Sequence, residues 1–274
     1  QDPAVSAACD VVLTYKAEVA PENRPVGTLL FAGPTGVGKT QLARALAKYL
    51  FGTDEALLRY DMSEFAGSDG YSRLCGRRGG QDEPGRLVED VCASPFSVVL
   101  FDEIEKAHDS VFNVLLQVLG EGRLTDETGR TASFLNSIII MTSNVGAHLF
   151  GKSQLGFAQS GVRQVTEEDL HRELATAFRP EFLNRLSRVV CFSQLDRRTV
   201  GEIARREVAA LTHRSGVQRR ALRLIPTAGL LEQLVDVGYD ERYGARAMQR
   251  AVERVVTASL AEFLAAQPQV RGQA

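Results

Sequence analysis

Little in the chain points to metal or disulfide chemistry. Its four cysteines (Cys9, Cys75, Cys92, Cys191) are scattered and form no C-x-x-C. They read as buried or incidental thiols of a reducing compartment rather than as zinc ligands or a disulfide framework. No apolar run approaches the ~20 residues that a membrane span needs. An excess of either charge is also missing. The 32 basic and 34 acidic residues leave a net charge of −2, with no global pull towards nucleic acid or an anionic membrane. There is no internal repeat and no low-complexity tract. No signal or transit pattern opens the chain. It starts abruptly at Gln1-Asp2-Pro3, as a fragment would, so targeting information is left open. The expected location is the cytoplasm, or an organelle matrix or stroma. With 44% hydrophobic and 24% charged residues in a length of 274, the composition is that of a globular protein with one large domain or two.

Against that plain background one stretch stands out. Leu29 to Thr40 reads LLFAGPTGVGKT, an apolar run, a glycine-rich turn and then the start of a helical pattern. This is G-x-x-x-x-G-K-[ST] in strand-loop-helix context. The glycines let consecutive N–H groups converge on one centre, and the following helix adds the positive end of its dipole. Gly33, Pro34, Thr35, Gly36, Val37 and Gly38 would form the phosphate cradle. Lys39 would reach the β- and γ-phosphates, and the Thr40 hydroxyl would ligate Mg²⁺. A glycine-rich turn that binds nothing is the bland alternative. A second run, Val98 to Glu103 (VVLFDE), has four apolar residues and two carboxylates, as a buried parallel strand ending at a ligand crevice would. Asp102 suits the Mg²⁺ shell, and Glu103 suits polarising the water that attacks the γ-phosphate.

In order, the pattern predicts a helix over 3–20 with Val5, Ala8, Val12 and Tyr15 on one face. A strand follows at 29–32, a helix at 41–50 and a strand at 57–61. Residues 66–86 read as loop. Leu87–Ala93 reads as a short helix, His108–Gly120 as an amphipathic one, and Thr125–Thr131 as a hairpin or exposed turn. Ile138–Met141 is another buried strand. Residues 146–165 read as a polar, glycine-bearing loop. Helices follow at Glu167–Phe178 and from Pro180, with a last strand at 189–192. From Leu195 onward the chain reads as almost all helix, over 197–212, 227–237 and 245–264. The implied architecture is α/β: a parallel sheet flanked by helices over 1–193, then a small helical domain over 194–274.

With these motifs assembled, the chain resembles an AAA+ ATPase, and more narrowly the second ATPase module of the two-ring Clp-type protein unfoldases. The segments GPTGVGKTQLARALA, YDMSEF, SVVLFDEIEKAH, EGRLTD, IIIMTSN, FRPEFLNRL and GYDERYGARAMQR carry the resemblance from end to end. It implies ATP and Mg²⁺ as cofactors, a homo-oligomeric (hexameric) ring, a protein substrate and a helical lid. It implies that Lys39 and Thr40 hold phosphate and metal, that Asp102 supports the metal and that Glu103 acts on the water. Asn144 would be the polar sensor near that water. Arg185 would be the finger entering the neighbouring subunit's site, and Arg246 the lid residue that touches the γ-phosphate. An arginine at the transition-state phosphate stabilises spread negative charge, which agrees with these roles. Each also has a bland reading. Arg185 would serve as a helix-end cation and Asn144 as a turn cap. For Arg246 the same reading is weaker, because a cation is disfavoured at a helix start.

One segment departs from the family. Between Leu74 and Leu87 the family carries an aromatic residue in a glycine-flanked loop that projects into the channel of the ring. Here the stretch is CGRRGGQDEPGR, with no aromatic and a few residues fewer. Tyr71 lies upstream, where the family has an aliphatic position. Arg77 and Arg78 offer only electrostatic or stacking grip, so threading is expected to be weakened, altered or absent. An ATP-dependent scaffold that moves no polypeptide is therefore the alternative, and a nucleic-acid motor a distant third. Leu155-Gly156-Phe157 matches the aliphatic-glycine-hydrophobic tripeptide with which some family members dock on a barrel-shaped peptidase. Local packing of that loop is the competing reading.

Overall fold

The computed structural model describes residues 1–77, 83–151 and 166–272. The chain divides into two compact units, one of residues 1–33 with 38–192 and one of Pro34–Val37 with Ser193–Ala274.

The first unit is built on five strands: β1 (Gly27–Ala32), β2 (Leu57–Asp61), β5 (Val98–Asp102), β8 (Ile138–Ser143) and β9 (Arg188–Cys191). They lie in the order β2-β5-β8-β1-β9, all parallel. Every residue of β1, β5 and β8 is buried, as expected where helices cover both faces of a sheet. Two small antiparallel pairs stand apart from the main sheet. These are β3 (Gly76–Arg77) with β4 (Glu83–Pro84), and β6 (Arg123–Thr125) with β7 (Thr131–Ser133). The helices of this unit are α1 (Asp2–Lys16), α2 (Lys39–Phe51), α3 (Gly70–Cys75), α4 (Arg86–Ala93), α5 (Asp109–Glu121), α6 (Ala147–Gly151), α7 (Glu167–Ala177) and α8 (Pro180–Leu183).

Three expectations need correction here. Helix α1 buries Ala4, Ala7, Ala8 and Val11 and leaves Val5 half exposed. The alanine face wins over the larger side chains because α1 approaches β1 closely: a Cβ on Gly27 would stand 2.9 Å from the Val11 methyls. The stretch 66–86 is not simply loop, since α3 and the β3–β4 pair lie within it. Leu74 and Cys75 anchor α3 in the core, a tertiary contact with no local signature. The loop expected over 146–165 begins as helix α6, and 152–165 fall outside the described residues.

The second unit packs α9 (Arg197–Leu211), α11 (Ala228–Gly238) and α12 (Gly244–Val252) around Val200, Ala204, Val208, Leu234 and Met248. A short α10 (Ser215–Gln218) lies between α9 and α11. The helix expected over 245–264 runs without a gap from Gly244 to Ala266 and holds one widened turn. After α12 comes a π-turn at Glu253–Thr257, then α13 (Ala258–Ala266).

Candidate functional site

Strand register brings the polar residues together. Ala32 pairs with Ser143, so Gly33 and Asn144 follow one step on. Phe101 pairs with Met141, so Asp102 and Thr142 follow likewise, and Asp61 pairs with Asp102. All of these stand at the carboxyl edge of the sheet, where ligands of open α/β folds bind.

The turn after β1 is dictated by contact and by backbone angle. Gly33 has φ +144°, and a Cβ there would lie 2.2 Å from the Phe192 carbonyl oxygen. Its N–H donates to the Ser143 carbonyl at 3.2 Å. Gly38, at φ +108°, starts α2 in the left-handed region. Lys39 is buried, with Nζ donating to the Gly33 carbonyl at 2.6 Å and to Asn144 Oδ1 at 3.0 Å. Asn144 in turn donates from Nδ2 to Glu103 Oε1 at 3.3 Å. Thus Lys39, Asn144 and Glu103 form one chain of polar contacts. Glu105 fixes the Asn144 backbone, accepting from its N–H at 2.9 Å.

Asp102 is buried and heavily engaged. Arg59 donates to Oδ2 from Nε at 3.1 Å and from Nη2 at 2.6 Å, while the Thr142 hydroxyl donates to Oδ1 at 2.5 Å. The Thr40 hydroxyl lies 3.4–3.5 Å from both carboxylate oxygens. No cluster of three or more His, Cys, Asp or Glu among the described residues could cage a metal. Thr40 and Asp102 are the residues that would hold a Mg²⁺ ion beside the phosphate loop. Glu103 itself has φ +58°, an uncommon conformation for a glutamate. Its N–H donates to the Thr142 hydroxyl at 2.9 Å, and its Oε2 pairs with Lys106 Nζ.

The other two arginines lie elsewhere. Arg185 precedes β9 at the amino edge of the sheet. Its carbonyl accepts from the Thr28 hydroxyl at 3.1 Å, and its guanidinium donates to the Leu116 carbonyl of α5. Arg246 is exposed in the first turn of α12, in the second unit. In that unit Ala245 N–H donates to the Gly36 carbonyl at 2.9 Å. Gly36, at φ +77°, leaves no room for a side chain: a Cβ would stand 2.1 Å from the Tyr243 carbonyl oxygen.

Sequence reasoning did not single out Arg59, Thr142, Glu105 or Lys106. For Arg59 the signal was a lone cation within the strand LLRYD, and for Thr142 the hydroxyl that ends the apolar run IIIM. Leu155-Gly156-Phe157 and Arg78 lie outside the described residues.

Residues 24–189 match the family model of the AAA domain (Cdc48 subfamily), and residues 195–273 match that of the C-terminal D2-small domain of ClpB protein. The chain is 44% identical, over all its length, to the ATP-dependent Clp protease ATP-binding subunit ClpC of Staphylococcus aureus, of which it covers 34%. It is 43% identical over 96% of its length to the ClpC of Staphylococcus epidermidis, of which it covers 33%. The chain thus spans about a third of the length of the curated relatives it matches. Among solved structures, a closed-state cryo-EM reconstruction of Hsp104 with ATPγS and FITC-casein superposes with a TM-score of 0.85. The two share 33% identity over 96% of this chain and 45% of that one.

Proposed function

The chain belongs to the AAA+ ATPases, as a second ATPase module of the Clp type, and from that premise we propose that it is the hydrolysing module of a ring-forming protein remodeller. The observation that carries this reading is the contact chain Lys39–Asn144–Glu103 beside the Thr40–Asp102 pair, all at one edge of the sheet. Residues 1–193 form the nucleotide-binding domain in this reading, and 194–274 the lid.

Gly33 to Gly38 and Lys39 would hold the phosphates of ATP, and Thr40 with Asp102 would hold Mg²⁺. The bound ion would neutralise charge on the phosphate oxygens. Glu103 orients the attacking water and accepts its proton. Asn144 links that carboxylate to Lys39, so a change at the phosphate is felt by the base. Arg246 touches the γ-phosphate from the lid. Arg185 serves the neighbouring subunit of a homo-oligomeric ring, taken as a hexamer. The substrate is protein, and the site of action is the cytoplasm or an organelle matrix. A barrel-shaped peptidase would be bound through Leu155-Gly156-Phe157. Loss of such a complex in Leu155→Ala is the expected result.

A second reading has a specific observation in its favour. The base of the loop that lacks an aromatic is tied down: the Tyr71 hydroxyl donates to Glu127 at 3.0 Å, and the Glu127 N–H to the Cys75 carbonyl at 3.2 Å. A loop sequence without an aromatic wedge, entered from a helix fastened in this way, suits a nucleotide-gated scaffold.

The test uses the full-length assembled protein, ATP and a stable fluorescent reporter with an unstructured tail. Loss of fluorescence coupled to hydrolysis supports the remodeller, and hydrolysis without unfolding supports the scaffold. Glu103→Gln should keep ATP binding and lower turnover by roughly 10²–10⁴-fold. Undiminished turnover would remove Glu103 from its role.

A further inference from the structure

Acidic side chains crowd the carboxyl edge of β2 and β5. Asp61 and Asp102 are register partners, and Glu103 and Glu105 follow directly in the chain. Arg59 is committed to Asp102. Among the described residues, Lys106, three residues on and half exposed, is the cation whose ion pair with Glu103 is seen, its ammonium on Oε2. The Lys106 pKa is raised above its ordinary value, first by the hydrogen bond to Glu103 and then by the charges of Glu103, Asp61 and Glu105.

The Glu103 carboxylate is therefore held from two sides. Asn144 Nδ2 donates to Oε1 at 3.3 Å, near the long end for such a bond, and Lys106 takes Oε2. The backbone beneath is fixed in its left-handed turn by the Thr142 hydroxyl. Of the two side-chain contacts the charged one is the stronger. Without it, Glu103 would keep one long bond to Asn144 and face repulsion from Asp61, Asp102 and Glu105. A triphosphate bound at Lys39 would add to that repulsion.

We propose that Lys106 is a positioning residue for Glu103, holding its carboxylate aimed at the carboxyl edge of the sheet against the acidic side chains around it. The inference rests on the reading of Glu103 as the group that acts on water. Exposed ion pairs add little to folding, so the effect belongs to turnover rather than to stability. Aim matters to a general base because a small misplacement of the carboxylate is felt in the rate.

The experiment measures ATP turnover, binding of a fluorescent ATP analogue and Tm in the full-length assembled protein. The variants are Lys106→Met, Lys106→Arg, Glu103→Gln and the double variant Lys106→Met/Glu103→Gln. Lys106→Met is expected to lower kcat about tenfold, with analogue affinity within about twofold of wild type and Tm unchanged. Lys106→Arg is expected to keep roughly half of wild-type turnover or more, because it restores the charge. The double variant should be no slower than Glu103→Gln alone, because Lys106 acts only through that carboxylate. Unchanged or raised kcat in Lys106→Met, where Glu103→Gln abolishes turnover, overturns the role of Lys106 and leaves that of Glu103 standing. A joint fall in affinity, Tm and kcat that arginine does not recover overturns it as well, since that is the mark of a structural residue. Full turnover in Glu103→Gln overturns the underlying reading instead.

Discussion

The Thr28 hydroxyl donates to the Arg185 carbonyl, which places Arg185 at the amino edge of β1 while Lys39 follows its carboxyl edge. Thr28 and Gly33 are five residues apart, roughly 17 Å along an extended strand. An arginine side chain does not span that distance, which is why the role proposed for Arg185 lies in the site of another subunit. Rings of Arg185→Ala should hydrolyse ATP poorly, as should rings of Lys39→Ala. Mixed rings should recover part of the activity, because some interfaces then pair an intact Lys39 with an intact Arg185 from next door. Turnover measured against mixing ratio checks this, and a flat response would place Arg185 outside the reaction.

Gly33 and Gly38 both have positive φ, yet substitution should cost different amounts at the two positions. At Gly33 a Cβ would meet the Phe192 carbonyl at 2.2 Å, while at Gly38 nothing lies within 4 Å. Gly38→Ala should add only backbone strain, about 1–2 kcal/mol. Gly33→Ala adds a collision with backbone and should cost roughly 2–4 kcal/mol, lowering Tm by roughly 5–15 °C. Thermal melts of the two variants without nucleotide make the comparison. Equal shifts would mean that β9 yields to the added methyl.

Cys75 is buried in the core, and its thiol is pushed up to about 12, first by desolvation and then by the charges of Glu127 and Asp126. The folded state therefore keeps this proton more tightly than the unfolded chain, whose thiol titrates near 9.0. The associated stability is whole below about pH 9 and is lost as pH rises towards 12, at about 1.4 kcal/mol per pH unit for one proton. Tyr71, also raised to about 12, steepens the same limb. Cys75→Ala should flatten the alkaline fall in stability relative to its own value at pH 7. A maleimide at pH 8 should label the exposed Cys9 and Cys92 well before Cys75.

The candidate site was legible where its residues are local to a motif. The chain of residues Gly33 to Thr40 and the pair Asp102-Glu103 declare themselves by spacing, and the apolar runs at 29–32, 98–101 and 138–141 became buried strands. What stayed hidden depends on register. Thr142 is an ordinary hydroxyl until β5 and β8 are aligned, and Arg59 is an ordinary strand cation until it meets Asp102. The rotation of α1 was hidden for a similar reason. Hydrophobicity favours Val5, but close packing at Gly27 favours the alanine face. The π-turn at 253–257 lies inside a continuous helix, so periodicity alone reads straight through it.

Tyr71 and Glu127 couple two turns that local sequence treats as independent. The phenol of α3 donates to the carboxylate at 3.0 Å, and beside it the Glu127 N–H donates to the Cys75 carbonyl at 3.2 Å. Asp126, next in line, organises its own turn through the Thr128 hydroxyl and the N–H groups of Thr128 and Arg130. Asp126 thus ties the 126–130 turn together, and Tyr71 fastens α3 to it. Tyr71→Phe removes one hydroxyl and keeps the ring, so it should cost about 1 kcal/mol in stability. Glu127→Gln should cost less, because an amide oxygen still accepts. The local effect should exceed the global one, with amide exchange at Glu127 quickened about tenfold while the β1 and β8 amides are unchanged. Basal ATP turnover should stay near wild type, since the bonds of Tyr71 and Glu127 run between α3 and the 126–130 turn. A change in hydrolysis appearing only when unfolded protein is added would tie the fastening to substrate handling, and identical responses with and without it would leave the contact a purely structural one.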